Sequence, residues 1–239
     1  MSSRTACITR ATGETSIRMT LDLDGTGKTA VKTGIGFLDH LLDSLSRHAR
    51  FDLMLTGEGD LQVDDHHTAE DCGLALGEAL DRALGERRGV NRFGWALAPL
   101  DEALARAVVD LSGRPFADIA LDLQRETIGE LACENIPHVL RSLATAARIT
   151  LHVDVLKGDN DHHRAEAAFK ATALALRHSR SRARDETGTR AHPHARAQRR
   201  TGPRASSTQH ASHPAAHAAH TSLRTRPHHR SRTLRLVRR

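Results

Sequence analysis

One pattern occurs twice in this chain: a lone histidine, a spacer, then His-His-x-x-Glu. The first copy is His40 followed by His66, His67 and Glu70, and the second is His138 followed by His162, His163 and Glu166. The same donor set recurring with 25 and then 23 intervening residues constrains the fold to two copies of one supersecondary unit. The likeness extends past the donors. His40-Leu-Leu-Asp-Ser-Leu45 resembles His138-Val-Leu-Arg-Ser-Leu143, and Ala49-Arg-Phe-Asp-Leu53 resembles Ala147-Arg-Ile-Thr-Leu151, both at an offset of 98. Leu21-Asp-Leu-Asp-Gly25 and Val109-Asp-Leu-Ser-Gly113 add a weaker echo.

Hydrophobic spacing predicts strands and helices in both copies. Ile17, Met19, Leu21 and Leu23 alternate with polar residues until Gly25-Thr-Gly27 breaks the run, as a half-buried strand and turn require. Phe51/Leu53/Leu55, Ala117/Ile119/Leu121/Leu123 and Ile149/Leu151/Val153/Val155 repeat that alternation, and residues 104–111 supply a further strand. These predict sheets with one wet face. Phe37, Leu38, Leu41, Leu42 and Leu45 mark the apolar stripe of a helix that starts after Gly34-Ile-Gly36. His40 lies about 130° from the centre of that stripe. His138 is similarly far from the stripe of Val139, Leu140, Leu143 and Ala147, so neither histidine belongs to the core. Two further helices open on His-His-x-x-Glu, one over about residues 66–85 and one carrying Ala165, Phe169, Thr172 and Leu176 inward.

At a helix start, residues i and i+4 (His66 with Glu70, His162 with Glu166) share a face, while the middle histidine points elsewhere. Asp64, Asp65, Asp159 and Asp161, just before these helices, are expected as N-caps or as acceptors for ligand N–H groups. A single histidine is ordinarily a solvated or hydrogen-bonded residue, and His48 and His152 keep that reading. The matched pair does not, and eight imidazoles and carboxylates suggest a two-metal site. Donors without Cys suit a borderline or fairly hard divalent ion, with Mn, Fe, Ni and Zn all open. Four donors per ion leave up to two open octahedral positions, which implies catalysis. Lys170, seven residues after His163 on nearly the same helix face, suggests an anionic substrate group. Arg92 and Arg114 sit near turns, and Glu14, expected just before the first strand, is outside both donor sets and open as a free acid or base.

The net charge of +6 hides a division. Residues 178–239 hold 15 Arg, no Lys, 9 of the 17 His and 2 acids, a charge of +13, whereas the rest has 20 Lys and Arg against 27 Asp and Glu, or −7. That tail has no Ile, Met, Phe, Trp or Cys, so it is expected to be disordered and to attract nucleic acid only non-specifically and salt-sensitively. Its lack of aromatics argues against base stacking. The three cysteines, Cys7, Cys72 and Cys133, are widely spaced and read as reduced thiols. No signal-like or membrane-spanning apolar run occurs, and a soluble cytoplasmic protein is expected.

Several stretches together resemble the imidazoleglycerol-phosphate dehydratase family. They are Gly13-Glu-Thr-Ser16, Thr33-Gly-Ile-Gly-Phe-Leu-Asp-His40, Asp64-Asp-His-His-Thr-Ala-Glu-Asp71, Arg92-Phe-Gly94, Pro99-Leu-Asp-Glu-Ala103, Asp110-Leu-Ser-Gly-Arg-Pro115, Pro137-His138 and Asp161-His-His-Arg-Ala-Glu-Ala-Ala-Phe-Lys-Ala171. The resemblance covers about residues 7–177. It implies a duplicated α+β fold, with halves like the second domain of ribosomal protein S5 (residues 1–90 and 91–177) and four helices between two sheets, followed by the non-family tail 178–239. It also implies a homo-oligomeric cage of trimers with shared active sites, in histidine biosynthesis. By that likeness His40, His66, His67, Glu70, His138, His162, His163 and Glu166 hold two Mn ions. Glu14, Arg92, Arg114 and Lys170 handle a phosphorylated imidazole substrate, the cations chiefly its phosphate, with Glu14, Glu70 or Glu166 moving protons.

The chain departs from the family after Arg177, where a Pro-Ser-Thr-Lys-Gly-like phosphate-gripping segment is absent. The Arg/His/Pro-rich sequence that replaces it looks like translation of a GC-rich gene in the wrong frame, and weakened substrate binding is the expected consequence. Because two-metal His/Glu sites also activate water, the residues themselves leave open a hydrolase of a phosphorylated small molecule. Non-enzymatic nucleic-acid binding through the tail is the remaining alternative.

Overall fold

The computed structural model describes residues 4–181. The remainder of the basic tail, on which the expectations of disorder, nucleic-acid attraction and a lost phosphate grip rest, lies outside the described residues. In chain order the elements are β1 (Thr5–Ala11), β2 (Thr15–Asp22), β3 (Thr29–Lys32), α1 (Gly36–Ala49), β4 (Asp52–Gly59), α2 (His66–Leu84), β5 (Phe93–Leu100), β6 (Ala103–Asp110), β7 (Phe116–Ala120), β8 (Thr127–Ile128), β9 (Leu131–Ala132), α3 (Asn135–Ala146), β10 (Thr150–Lys157) and α4 (Asp161–Arg180).

Two sheets repeat one topology, β1-β2-β4-β3 and β5-β6-β10-β7. In each, an antiparallel hairpin pairs with a third antiparallel strand, whose other edge takes a short parallel strand. Inward positions of β2 and β4 (Ile17, Met19, Leu21, Leu53, Leu55) and of β6 and β10 (Ala105, Ala107, Val109, Leu151, Val153) are buried, as period-two alternation requires. The four helices fill the space between the sheets: α1 and α2 lie on the first, α3 and α4 on the second, with α1 against α4 and α2 against α3. The expected duplicated α+β architecture is present. Even the helix exits repeat: Arg50 after α1 and Arg148 after α3, 98 residues apart, both adopt the left-handed conformation, with φ of 58° and 52°.

Close helix packing has a sequence cause. A Cβ on Gly73 would lie 2.7 Å from the Val139 carbonyl oxygen, and one on Gly77 would overlap that of Leu143, so two glycines one turn apart let α2 approach α3. Two details differ from expectation. Glu14 does not precede the first strand but sits in the turn between β1 and β2, and the helix containing Phe169 continues beyond Arg177 to Arg180. Among the described residues no helix is long and apolar enough to cross a membrane.

Candidate metal centre

The crossed packing of helices decides which histidines meet. The lone His40, in the first half, lies against the second half's α4: its Nε2 is 3.2 Å from Glu166 Oε2, and His162 Nε2 is 3.4 Å from the same oxygen. The lone His138, in the second half, lies against α2 of the first. Its Nε2 is 3.2 Å from Glu70 Oε1, and its ring stacks on His66 with centroids 5.0 Å apart. Two three-donor groups result, His40/His162/Glu166 and His66/Glu70/His138, each with one ligand atom per residue within 4.8 Å of the others. Two imidazoles and a carboxylate converging at this spacing fit a divalent cation of the kind the donor chemistry suggests.

The two groups differ in their surroundings. Phe37, three residues before His40, packs its ring 4.8 Å from that of His162, whereas Asn135, three before His138, places Oδ1 2.9 Å from His66 Nδ1. Lys170 Nζ lies 2.7 Å from Glu166 Oε1. Burial alone would push the Glu166 carboxyl up, but hydrogen bonds from Lys170 and His40 more than offset it and hold the group at about 2. Among the described residues Glu70 has no matching lysine on its own helix, where the residue one turn on is Leu74.

His67 and His163 belong to neither group. His67 Nδ1 lies 3.0 Å from Asp60 Oδ2, and His163 Nδ1 lies 2.7 Å from Glu102 Oε2. Each carboxylate favours the protonated ring and raises that histidine's pKa. Glu102 in turn is held at about 2, first by His163 and then by the Asn160 backbone N–H. Asp60 and Glu102 were missing from the expected site. Their signal was faint, since Asp60 follows Gly59 in a loop and Glu102 occupies a turn, positions at which acids are commonplace.

Of the four aspartates expected as caps or as acceptors for ligand N–H groups, Asp64 behaves as expected and the other three do not. Asp64 accepts the His66 backbone N–H, but the α4 cap is Asn160, which accepts from His162 N. Asp65 accepts from Ala132 N, and the buried Asp161 accepts from Gln124 N and Arg125 N, tying the 120s loop to α4. Asp159 contributes its backbone N–H to Glu102. Loop anchoring has claimed the Asp65 and Asp161 side chains, because the backbone N–H groups they satisfy are partly buried.

Glu14 is exposed near His67, where its charge adds to that of Asp60. Arg92 and Arg114 are elsewhere. Arg92 forms a two-pronged ion pair with Asp110, at 2.8 and 3.2 Å, next to Asn91, whose N–H bonds the Ser181 carbonyl at the far end of α4. The 20 residues of α4 span about 30 Å, so Arg92 and the His162 group lie at opposite ends of that helix. Arg114 shares the Arg92 end, its carbonyl accepting from Thr150 Oγ1.

Comparison with known proteins places this sequence and fold. Residues 33–176, more than half of the chain, match the family model described as imidazoleglycerol-phosphate dehydratase. A Phytophthora nicotianae protein of that name is 61% identical over 174 residues, covering 73% of this chain and 38% of that protein. Its Trichoderma harzianum namesake is 54% identical over 198 residues, covering 73% and 95%, and that of Saccharomyces cerevisiae 50% identical over 206 residues, covering 76% and 93%. The crystal structure of imidazoleglycerol-phosphate dehydratase from Staphylococcus aureus is similar with a TM-score of 0.68 and 32% identity, covering 75% of this chain and 99% of that one. The Pyrococcus furiosus enzyme, in complex with (S)-C348, gives 0.64 and 34%, covering 76% and 99%. Sequence and topology agree: the chain belongs to the imidazoleglycerol-phosphate dehydratase family, a family of hydro-lyases.

Proposed function

We propose that this chain removes water from imidazole glycerol phosphate to give imidazole acetol phosphate, a cytoplasmic step of histidine biosynthesis that depends on two divalent ions, Mn by family likeness. The observation that carries the reading is the crossed pair of donor groups, His40/His162/Glu166 and His66/Glu70/His138. The substrate's imidazole, once deprotonated, offers two ring nitrogens, and two donor groups suit it. When bound, divalent ions supply electrostatic stabilisation of the ring anion.

The proton to be lost sits on a carbon beside the ring and is barely acidic, so a base must stand close to it. Glu14 is exposed and outside both donor groups, which suits it to that task, with Glu70 and Glu166 as alternatives in a second role. Lys170, beside Glu166, would meet the substrate's phosphate. Arg92 and Arg114, at the opposite end of α4, would do so from another copy of the chain. Their separation and the outward-facing His67 and His163 support a homo-oligomer that shares its sites, as in a cage of trimers.

The test is incubation of the Mn-loaded protein with imidazoleglycerol phosphate and, separately, a simple phosphoester. Loss of water without phosphate release is expected. Phosphate release from both compounds would overturn the dehydratase reading in favour of a hydrolase.

A further inference from the structure

The duplication is in register within the hairpins, and it makes Glu102 the counterpart of Glu14. β1 pairs with β2 as Thr5↔Asp22 and β5 with β6 as Phe93↔Asp110, each residue of the second hairpin lying 88 positions after its equivalent in the first. Gly13-Glu14 and Asp101-Glu102 therefore occupy the same turn in the two halves. Their surroundings have diverged. Both oxygens of Glu102 are engaged: Oε2 lies 2.7 Å from His163 Nδ1, and Oε1 accepts the backbone N–H of Asp159 at 3.2 Å and of Asn160 at 2.9 Å. In the first half that task falls to Asp60, from the loop after β4, whose carboxylate oxygens lie 3.0 and 3.2 Å from His67 Nδ1. Glu14 holds no imidazole among the described residues.

A carboxylate only accepts hydrogen bonds, so each contact requires the proton on Nδ1, and in the neutral ring that metal binding demands it leaves the Nε2 lone pair pointing away from the holder. Asp101 Oδ2, 3.9 Å from His163 Nε2, puts a second negative charge on that outward side. We propose that Glu102 and Asp60 are positioning residues: each fixes the tautomer and aim of one outward histidine so that its Nε2 is a metal ligand, and the recruitment of Asp60 has released Glu14, the duplicate of Glu102, for proton transfer. This rests on the metal-centre reading above. A ligand imidazole oriented by a carboxylate binds more tightly, and loss of such a partner typically costs about 10- to 100-fold in metal affinity.

Glu102→Gln is the sharpest variant. Its amide oxygen keeps the two backbone bonds that tie the turn to α4, while its NH2 group faces His163 Nδ1 and demands an acceptor there, inverting the tautomer. Imidazole 15N NMR of the metal-free full chain at mildly alkaline pH, where both rings are neutral, and calorimetric Mn(II) titration, read the consequence in the parent, Glu102→Gln, Asp60→Ala and Glu14→Ala proteins. In the parent His67 and His163 should be protonated at Nδ1. Glu102→Gln should move the His163 proton to Nε2 and weaken Mn(II) binding about 10- to 100-fold, Asp60→Ala should weaken it comparably, and Glu14→Ala should leave it unchanged. Parent-like affinity and an Nδ1–H His163 in Glu102→Gln would overturn the proposal, as would weakened affinity in Glu14→Ala. A parent that binds no Mn(II) would instead refute the metal-centre reading itself.

Discussion

His40 on α1 and Glu166 on α4 come from different halves of the duplication, yet their side chains approach to 3.2 Å, and the pseudo-equivalent His138 and Glu70 repeat the relation at 3.2 Å. Each lone histidine is thus matched with the His-x-x-x-Glu face of the other half. The halves cannot be separated without destroying both donor groups, which explains why a chain of two similar units packs them face to face through their helices.

This crossing makes the two groups independently removable. Glu166→Gln deletes the anionic donor of one group and Glu70→Gln that of the other, with little change in volume. Each single variant should bind one equivalent of Mn(II) per chain in calorimetric titration where the parent binds two, and the double variant none. Loss of both equivalents from either single change would mean that the donors form one inseparable site.

Acid should reveal how strongly Glu166 is held. Its carboxyl titrates near 4.5 when unfolded and at about 2 in the folded chain. A depressed carboxylate contributes stability that is complete above the unfolded value and disappears as pH falls through the folded one. The metal-free parent should therefore melt above Glu166→Gln at about pH 6, with the gap closing between about pH 4.5 and 2. A gap that is constant across that range would exclude titration of Glu166 as its source.

Much of this site was legible because helical spacing constrains where side chains point: the apolar stripe of Leu38, Leu41, Leu42 and Leu45 is wholly buried and leaves His40 off the core. The crossing was not legible, since a repeat read along one chain permits either half to partner itself. β5 was hidden for a different reason. Its outward residues include Phe93, Trp95 and Leu97, all exposed, while its inward ones are Gly94, Ala96 and Ala98. The usual hydropathic alternation is inverted because α4 lies so close that a Cβ on Gly94 would overlap the Ala175 carbonyl oxygen. Small residues face the core there, and the bulky ones are left outside.

Helix proximity also predicts the cost of filling Gly77. In an open helix, Gly→Ala stabilises by about 1 kcal/mol. Here the new methyl would overlap the Leu143 carbonyl oxygen and lie 2.8 Å from Ala146 Cβ, and backbone yields less readily than a flexible side chain. Overpacking of about 1 to 3 kcal/mol should win, so Gly77→Ala should be destabilised in urea unfolding. By spreading α2 from α3 it should also weaken Mn(II) at His66/Glu70/His138 before the other group. A stabilised variant would mean that the helices have room to move apart.

The end of α4 supplies a last test, at a point where composition alone marked the chain as departing from its fold. Arg180 is buried to the extent that its guanidinium, 11% exposed, is pushed down to about 10 by desolvation and by the neighbouring Arg4. It donates to the Ala49 carbonyl at 3.0 Å, stacks over the Phe51 ring at 5.3 Å and lies 3.6 Å from Asp24. Arg4 closes the arrangement by donating to the Arg180 carbonyl at 2.8 Å and pairing with Asp24. These contacts join the last turn of the second half to the end of α1 and the strand-flanking loops of the first, so they should be worth more than an exposed ion pair. Hydrogen bonds to charged groups contribute about 1.5 to 3 kcal/mol, and Arg180→Ala should lose about that much in urea unfolding. Arg177→Ala, one turn earlier and with no ion pair among the described residues, should lose little. Equal and small losses in the two variants would show that the α4 terminus merely rests on the first half and does not hold it.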